Sequence, residues 1–454
     1  MSEGISENNF FGTERIGKIL FKMAPPVMLA QLIQALYNIV DSFFVGKYSD
    51  DALTALTVIF PLQLIIVAFA VGTGVGVNTY MARKYAQDRE KEANGTAGAG
   101  MILALISWAL FALISVLIMR PYVRTSATLP QVIENAVTYG NIVCVGSLGA
   151  FLEGIWSKVH QSRGNMRLPM FAQIAGALTN IILDPLMIFG VGFFPEMGAA
   201  GAAYATVVGQ TVAAVIVGIK GFSRPPAWRD FPHYVKRIYF YGYSSITMQA
   251  LYTVYIVGLN VILARFSDFA VTVLGLYYKM QSFFFIPLLG LETCIVPVLS
   301  FNYTRKEYGR CRDTMKLSFS ISALFMLVGV ISFLFFPRQL IGIFSSNAEV
   351  HKIGAVAFRI IGTSFIPAVF SLMTPVFFQA IGDGKTSTVL VLIRQIFCLV
   401  PIFWLFSFIG LNYTWLSFPI SESIAGSIGI VLYVRTLKKW KAEKEKTGVA
   451  GMTY

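Results

Sequence analysis

Twelve apolar runs, nearly free of charge, recur along this chain from about residue 17 to residue 435 and leave few folds open to it. Each is long enough for the ~20 residues that a helix needs to cross a bilayer's hydrocarbon. Lipid offers an open backbone no hydrogen-bond partner, so the choices are helices or a closed barrel. The runs are continuous rather than alternating, which excludes the barrel pattern. Composition points the same way. The 454 residues are 56% hydrophobic and only 13% charged, against roughly 25% charged in a soluble domain. The expected fold is an all-α integral membrane protein. Its twelve spans are placed at about 17–46, 52–82, 93–119, 131–157, 168–191, 198–219, 238–264, 270–302, 314–336, 350–381, 387–410 and 412–435.

Basic residues then orient the chain, because Lys and Arg stay on the cytoplasmic side. With the N-terminus inside, 27 of the 36 Lys and Arg fall in cytoplasmic segments and six on the opposite side. Lys279, Arg359 and Arg394 fall within spans. Both termini are therefore expected in the cytoplasm of a multi-pass membrane protein. The net charge of +13 follows from these basic inner loops facing an anionic leaflet, and no nucleic-acid partner is expected. The first 22 residues are polar and the first apolar run is too long for a signal peptide's core, so no cleavable signal is expected. Cys144, Cys294, Cys311 and Cys398 have no metal or redox spacing and read as small hydrophobes.

The chain is built twice on one plan. Residues 221–236 form a polar break with two adjacent prolines between six spans and six spans. Gln34-Ala35-Leu36-Tyr37 matches Gln249-Ala250-Leu251-Tyr252, an offset of 215. Tyr48-Ser49-Asp50 matches Phe266-Ser267-Asp268, and Gly72, Gln161 and Gly164 match Gly290, Gln379 and Gly382, all offset by 218. The reading is an N-terminal six-helix lobe (1–220), a cytoplasmic linker (221–236), a C-terminal six-helix lobe (237–437) and a basic tail (438–454). An even span number per lobe makes the repeat parallel, with a pseudo-two-fold axis along the membrane normal.

Within this apolar frame, Asp41 and Asp184 stand out. A carboxylate at bilayer depth is costly and marks an ion or substrate pathway. Gln34, Asn38 and Asp41 are spaced i, i+4, i+7 and share one helix face with Tyr37. Asn180 and Asp184 are i, i+4, as are Ala202 and Thr206. Pro25 and Pro26 should kink or break the first span, and Pro185 removes a backbone donor beside Asp184. Carboxylates, an amide, a hydroxyl and free carbonyls suit a hard cation such as Na⁺. A desolvated carboxylate equally suits a proton, and the residues do not separate the two. Asn38, Thr206 and Gln34 taken singly also fit ordinary interhelical hydrogen bonds. In the second half Asp41 corresponds to Ile256 or Leu259, Asp184 to Ile402 and Asn180 to Cys398. The ionisable machinery is therefore assigned to the N-terminal lobe alone.

Other intramembrane charges carry weaker readings. Glu292 could neutralise a cationic substrate, or pair with Lys279 or Arg394. Glu153 and Lys158 read as a pair or a gate, and Arg359 and Arg394 as snorkelling or ion-paired. The runs Gln281-Ser282-Phe283-Phe284-Phe285 and Phe377-Phe378-Gln379 suit flat organic cations through cation–π contact and adaptable packing. The candidate substrate-cavity residues are Gln34, Tyr37, Asn38, Glu153, Gln249, Lys279, Gln281 and Glu292. Gly72-Thr-Gly-Val-Gly76 lacks the strand and Lys-Ser/Thr of a phosphate loop and reads as close helix packing. No nucleotide motif is present, so no cofactor beyond H⁺ or Na⁺ is expected.

Several stretches together resemble the multidrug and toxic compound extrusion (MATE) family, and within it the MepA-like bacterial branch. They are Pro25-Pro26 with Gln34–Asp41, Gly164–Pro169, Asn180–Pro185, Gly198–Thr206, and Tyr278–Phe283 with Ser300–Tyr303. The resemblance spans residues 15–437. It implies two six-helix bundles in a V shape and export of organic cations against H⁺ or Na⁺ entry. The family's N-lobe cation site falls on Asp41, Asn180, Asp184 and Thr206, with Ala202 supplying a carbonyl. The family's further acids in spans seven and ten are absent here, while Glu292 resembles the span-eight acid of MepA-like proteins. The expectation is a secondary active antiporter, working as a monomer on small organic cations. The rivals are a lipid-linked-precursor flippase, which would need a strongly cationic cavity, and an intramembrane enzyme, which would need a reactive cluster.

Overall fold

The computed structural model describes residues 10–126, 129–192, 194–345 and 347–446, and every regular element among them is helical. Ten helices are long and apolar enough to cross a membrane, and twelve spans result when two bent pairs are each read as one. The first half holds α1 (Ile16–Tyr48), α2 (Asp50–Ala86), α3 (Glu90–Ser126), α4 (Pro130–Gly146), α5 (Leu148–Ser162), α6 (Arg167–Ile188) and α7 (Ala199–Gly221). The second holds α8 (Phe231–Leu263), α9 (Asp268–Phe284), α10 (Ile286–Thr304), α11 (Tyr308–Phe335), α12 (Ala348–Gly362), α13 (Phe365–Ile381) and α14 (Gly384–Leu392). A π-helical stretch (Ile393–Leu399), α15 (Val400–Ser407) and α16 (Ser417–Lys446) complete it. Leu110, Leu113, Val116 and Leu117 of α3 are each more than half exposed. An apolar face that wide is stable against acyl chains, not against water.

The chain groups into two compact units. One is built on Pro25–Ala250, the other on Phe11–Ala24 and the described part of Leu251–Tyr454. The division falls within α1, between Ala24 and Pro25, and within α8, between Ala250 and Leu251. Helix α1 is continuous through Pro25 and Pro26. The two prolines still deprive the carbonyls of Phe21 and Lys22 of their i+4 donors.

The sequence repeat has a local physical cause. Ser49 and Ser267 are both N-caps in extended conformation. The Ser49 hydroxyl accepts from the Asp51 amide at 3.2 Å, and that of Ser267 from the Ala270 amide at 3.2 Å. Each satisfies a helix-start donor that lipid would leave bare. Gly164 and Gly382 are likewise paired, with φ of 82° and 90°, a turn that residues with a Cβ avoid.

Three expected single spans are interrupted. The spans at 131–157 and 350–381 bend by 41° and 56° between α4 and α5 and between α12 and α13. At these bends hydroxyls hydrogen-bond to carbonyls of the preceding turn. Ser147 donates to Cys144 O at 2.7 Å, Thr363 to Ile360 O at 2.7 Å and Ser364 to Ile361 O at 2.6 Å. Such side-chain bonds make non-ideal helix tolerable in hydrocarbon. The span at 270–302 divides at Phe285, and Pro287 then sits in the first turn of α10, where its missing N–H costs nothing.

Close packing relies on glycine. A Cβ on Gly76 would lie 2.2 Å from Ile238 O, and one on Gly242 2.7 Å from Gly72 O, so α2 and α8 meet backbone to backbone. Helices α6 and α7 do the same, with a Cβ on Gly176 falling 2.7 Å from Gly209 O and one on Gly209 2.6 Å from Gly176 O. In the second unit, Arg310 donates to the carbonyls of Phe11 at 2.8 Å and Glu14 at 2.6 Å, and Ser300 to Ala380 O at 2.9 Å.

Candidate functional site

The glycine contact between α6 and α7 builds the first unit's polar centre. It brings Asn180 on α6 within 3.4 Å of the Thr206 hydroxyl on α7, with the Asn180 amide donating. The same amide donates to Asp184 Oδ1, one turn on, at 3.3 Å. Asp184 is fully buried, and Asn180 and Thr206 nearly so. Helix α1 delivers Asp41, whose carboxyl lies within electrostatic reach of that of Asp184. Ala202 is buried one turn before Thr206. Asp41 Oδ1, Asn180 Oδ1 and Asp184 Oδ2 are buried with no hydrogen-bond partner. Two neighbouring carboxyls disfavour being charged together. The donor set of carboxylates, amide oxygen and hydroxyl fits an oxygen-coordinated ion as well as a proton.

Around this centre the first unit places further candidates. Tyr37, half-buried on α1, lies within electrostatic reach of Asp41, Asp184 and Glu153. Glu153 on α5 accepts from the Ser157 hydroxyl at 2.7 Å, while Lys158 donates to Gln161 at 2.9 Å. Gln34 and Asn38 are exposed, as is Gln249 near the end of this unit's part of α8. Helix α6 continues through Pro185, whose missing N–H leaves the Ile181 carbonyl without its i+4 donor.

In the second unit the expected roles of the charges shift. Lys279 is exposed, with its ammonium 5.8 Å from the Phe344 ring centroid. Gln281 lies half-buried near the end of α9. Arg394 sits on the π-helical stretch and pairs with Glu422 of α16. Its Nε donates to both Glu422 oxygens, at 2.9 and 3.0 Å, and Nη2 reaches Oε1 at 2.8 Å. The Ser371 hydroxyl of α13 donates to the other oxygen, Oε2. Glu292 Oε1 is buried with no hydrogen-bond partner. The partner of Arg394 is thus Glu422, not Glu292. The second unit holds an ion pair of its own between α16 and the π-helical stretch. Glu422 was missed because Ser417, Ser421 and Ser423 surround it, so its charge blends into a polar patch. An acid in one span and an Arg in the span before it was the signal available.

Membrane-crossing helices in two related halves, each burying carboxylates among polar partners, are the architecture of a membrane transporter. A family model described as MatE matches residues 26–186 and again 245–405, so the chain belongs to the MatE family of transporters. The repeated match places residue 26 against 245 and 186 against 405, close to the register of the sequence repeat. Among relatives, an FAD transporter of Shewanella oneidensis is 24% identical over 95% of this chain and 97% of its own length. The multidrug export protein MepA of Staphylococcus aureus is 22% identical, covering 93% and 94%. A probable multidrug resistance protein, NorM of Thermotoga maritima, is 27% identical over 79% of each. A solved MOP-superfamily transporter from Pyrococcus furiosus has the same fold, with a TM-score of 0.89 at 22% identity over 97% of this chain and 99% of that one.

Proposed function

We propose that the protein exports organic cations of several kinds, in exchange for H⁺ or Na⁺ taken up at Asp41 and Asp184. The observation that carries this reading is the buried polar centre, where Asn180 donates to Asp184 at 3.3 Å and to Thr206 at 3.4 Å while Asp41 Oδ1 and Asp184 Oδ2 stay buried without a partner. Two carboxylates in one apolar site cannot both stay bare, so the loaded and empty states differ strongly in energy. An ion that stabilises one conformation over the other shifts the equilibrium by its differential affinity alone. Moving a two-state transporter from 1:99 to 99:1 needs ~5.5 kcal/mol of that difference. A buried carboxyl pair is among the few sites that can supply it with one small ion. The Staphylococcus aureus relative, a multidrug export protein, and the Thermotoga maritima relative, a probable multidrug resistance protein, support the cargo class. The protein works as a monomer in a bacterial cell membrane, with both termini on the cytoplasmic side.

Purified protein in liposomes, loaded with a fluorescent organic cation and given first a proton and then a sodium gradient, tests this. Transport driven by one gradient and abolished in Asp41→Asn is the expected result. Unchanged transport by folded Asp41→Asn would reject the site. The relative from Shewanella oneidensis is an FAD transporter, so flavin adenine dinucleotide belongs in the same assay. Transport of it, with none of the cation, would reject the cargo class.

A further inference from the structure

We propose that Glu422 is a specificity-determining residue, which holds Arg394 so that the Glu292 carboxylate stays free to receive a cationic substrate. The proposal rests on the export of organic cations argued above and adds the device that keeps their receptor unpaired. Glu292 and Arg394 belong to the same unit, and Arg394 is the charged group within Coulombic reach of Glu292. Left to itself, a guanidinium in an apolar unit pairs with whatever carboxylate it can reach, because a bare buried charge is expensive. A direct Arg394–Glu292 pair would cancel the negative charge that a cation needs. The structure shows the other arrangement. Glu422 spends both oxygens on Arg394, and the Ser371 hydroxyl fixes Oε2 from a third helix.

The backbone contributes a second observation. Arg394 is carried by a π-helical stretch, Ile393–Leu399. A π-turn widens the helix and re-aims its side chains, and such turns concentrate at functional positions. Regular α-helix would orient Arg394 differently at the same place in sequence. The bidentate acid and the hydroxyl anchor thus hold the guanidinium on Glu422. Glu292 keeps an acceptor oxygen buried without a partner. A simple structural brace explains the pair, but not the unpartnered acid within its field.

The test is substrate affinity in a charge-swap series, measured as KM for a fluorescent monocation in liposomes. Glu422→Gln releases Arg394 toward Glu292, so KM should rise about tenfold, the order expected for one charged hydrogen-bond partner. The double variant Glu422→Gln with Arg394→Met removes both charges and should return KM to near the native value. A brace predicts the opposite, since the double variant would be no better than the single one. Glu422→Gln leaving KM unchanged, while Glu292→Gln raises it, would overturn the proposal and leave cation export standing. Glu292→Gln with native KM would remove the receptor itself and the proposal with it. Should Glu422→Gln fail to fold, Glu422→Asp keeps the charge but shortens its reach. A raised KM supports the proposal there too, and an unchanged one rejects it.

Discussion

At the scale of single residues, Asn180 separates a cation site from a mere packing contact. Its amide donates to Asp184 and Thr206, while its oxygen is buried without a partner. If that oxygen serves an ion, replacing Asn180 with Leu keeps the branched shape, at a larger volume, and removes the ligand. Hydrogen bonds to charged groups contribute ~1.5–3 kcal/mol. The Na⁺ or H⁺ concentration for half-maximal export by Asn180→Leu should therefore rise ten- to a hundredfold, with folded yield retained. An unchanged half-saturation in folded protein would mean that Asn180 only ties α6 to α7. Asp41 and Asp184 were legible in sequence because a carboxylate inside an apolar run has few structural excuses. Their nearness to each other was not legible, because it depends on how α1 meets α6. Glu422 shows the limit from the other side. Its partner Arg394 was visible, but pairing is a matter of distance, and Glu292 was an equally good partner on paper.

At the scale of elements, glycine decides where helices may touch, and the structure separates two glycines that look alike in sequence. Gly76 on α2 has no room for a Cβ, which would lie 2.2 Å from Ile238 O, while Gly275 on α9 has nothing within 4 Å. Gly76→Ala should therefore push α8 away and destabilise the protein by ~1–3 kcal/mol, the usual cost of overpacking. Gly275→Ala should be neutral or raise stability by up to ~1 kcal/mol, since alanine favours helix. Thermal unfolding of the two variants in one detergent checks the pair, and equal Tm shifts would contradict the packing account. The sequence did point to close packing at Gly72–Gly76, because small residues at that spacing serve little else in a span. It did not reveal the bends at Ser147 and at Thr363-Ser364, or the π-helical stretch. Hydropathy is the same whether a helix bends or not, and the hydroxyls that stabilise these bends also occur in straight helices.

At the scale of the whole molecule, duplication and span number were the most legible features, since both are carried by many residues at once. Transport energetics is set at this scale too, by the charge that crosses in each direction per cycle. The Arg394–Glu422 pair is internally neutral, which leaves the Asp41–Asp184 pair as the first unit's carrier of inward charge. If it loads one ion, export of a monocation moves no net charge, whereas export of a dication moves one positive charge outward. Each elementary charge is worth ~2.3 kcal/mol per 100 mV, or roughly 50-fold in a gradient. An inside-negative potential imposed with potassium and valinomycin should thus leave monocation export unchanged. It should lower the dication gradient by up to roughly 50-fold per 100 mV. Monocation export that speeds up with an inside-negative potential would instead mean that both carboxylates load. The pair would then carry two ions per cycle, and the shared-ion account of Asp41 and Asp184 would give way to sequential occupancy.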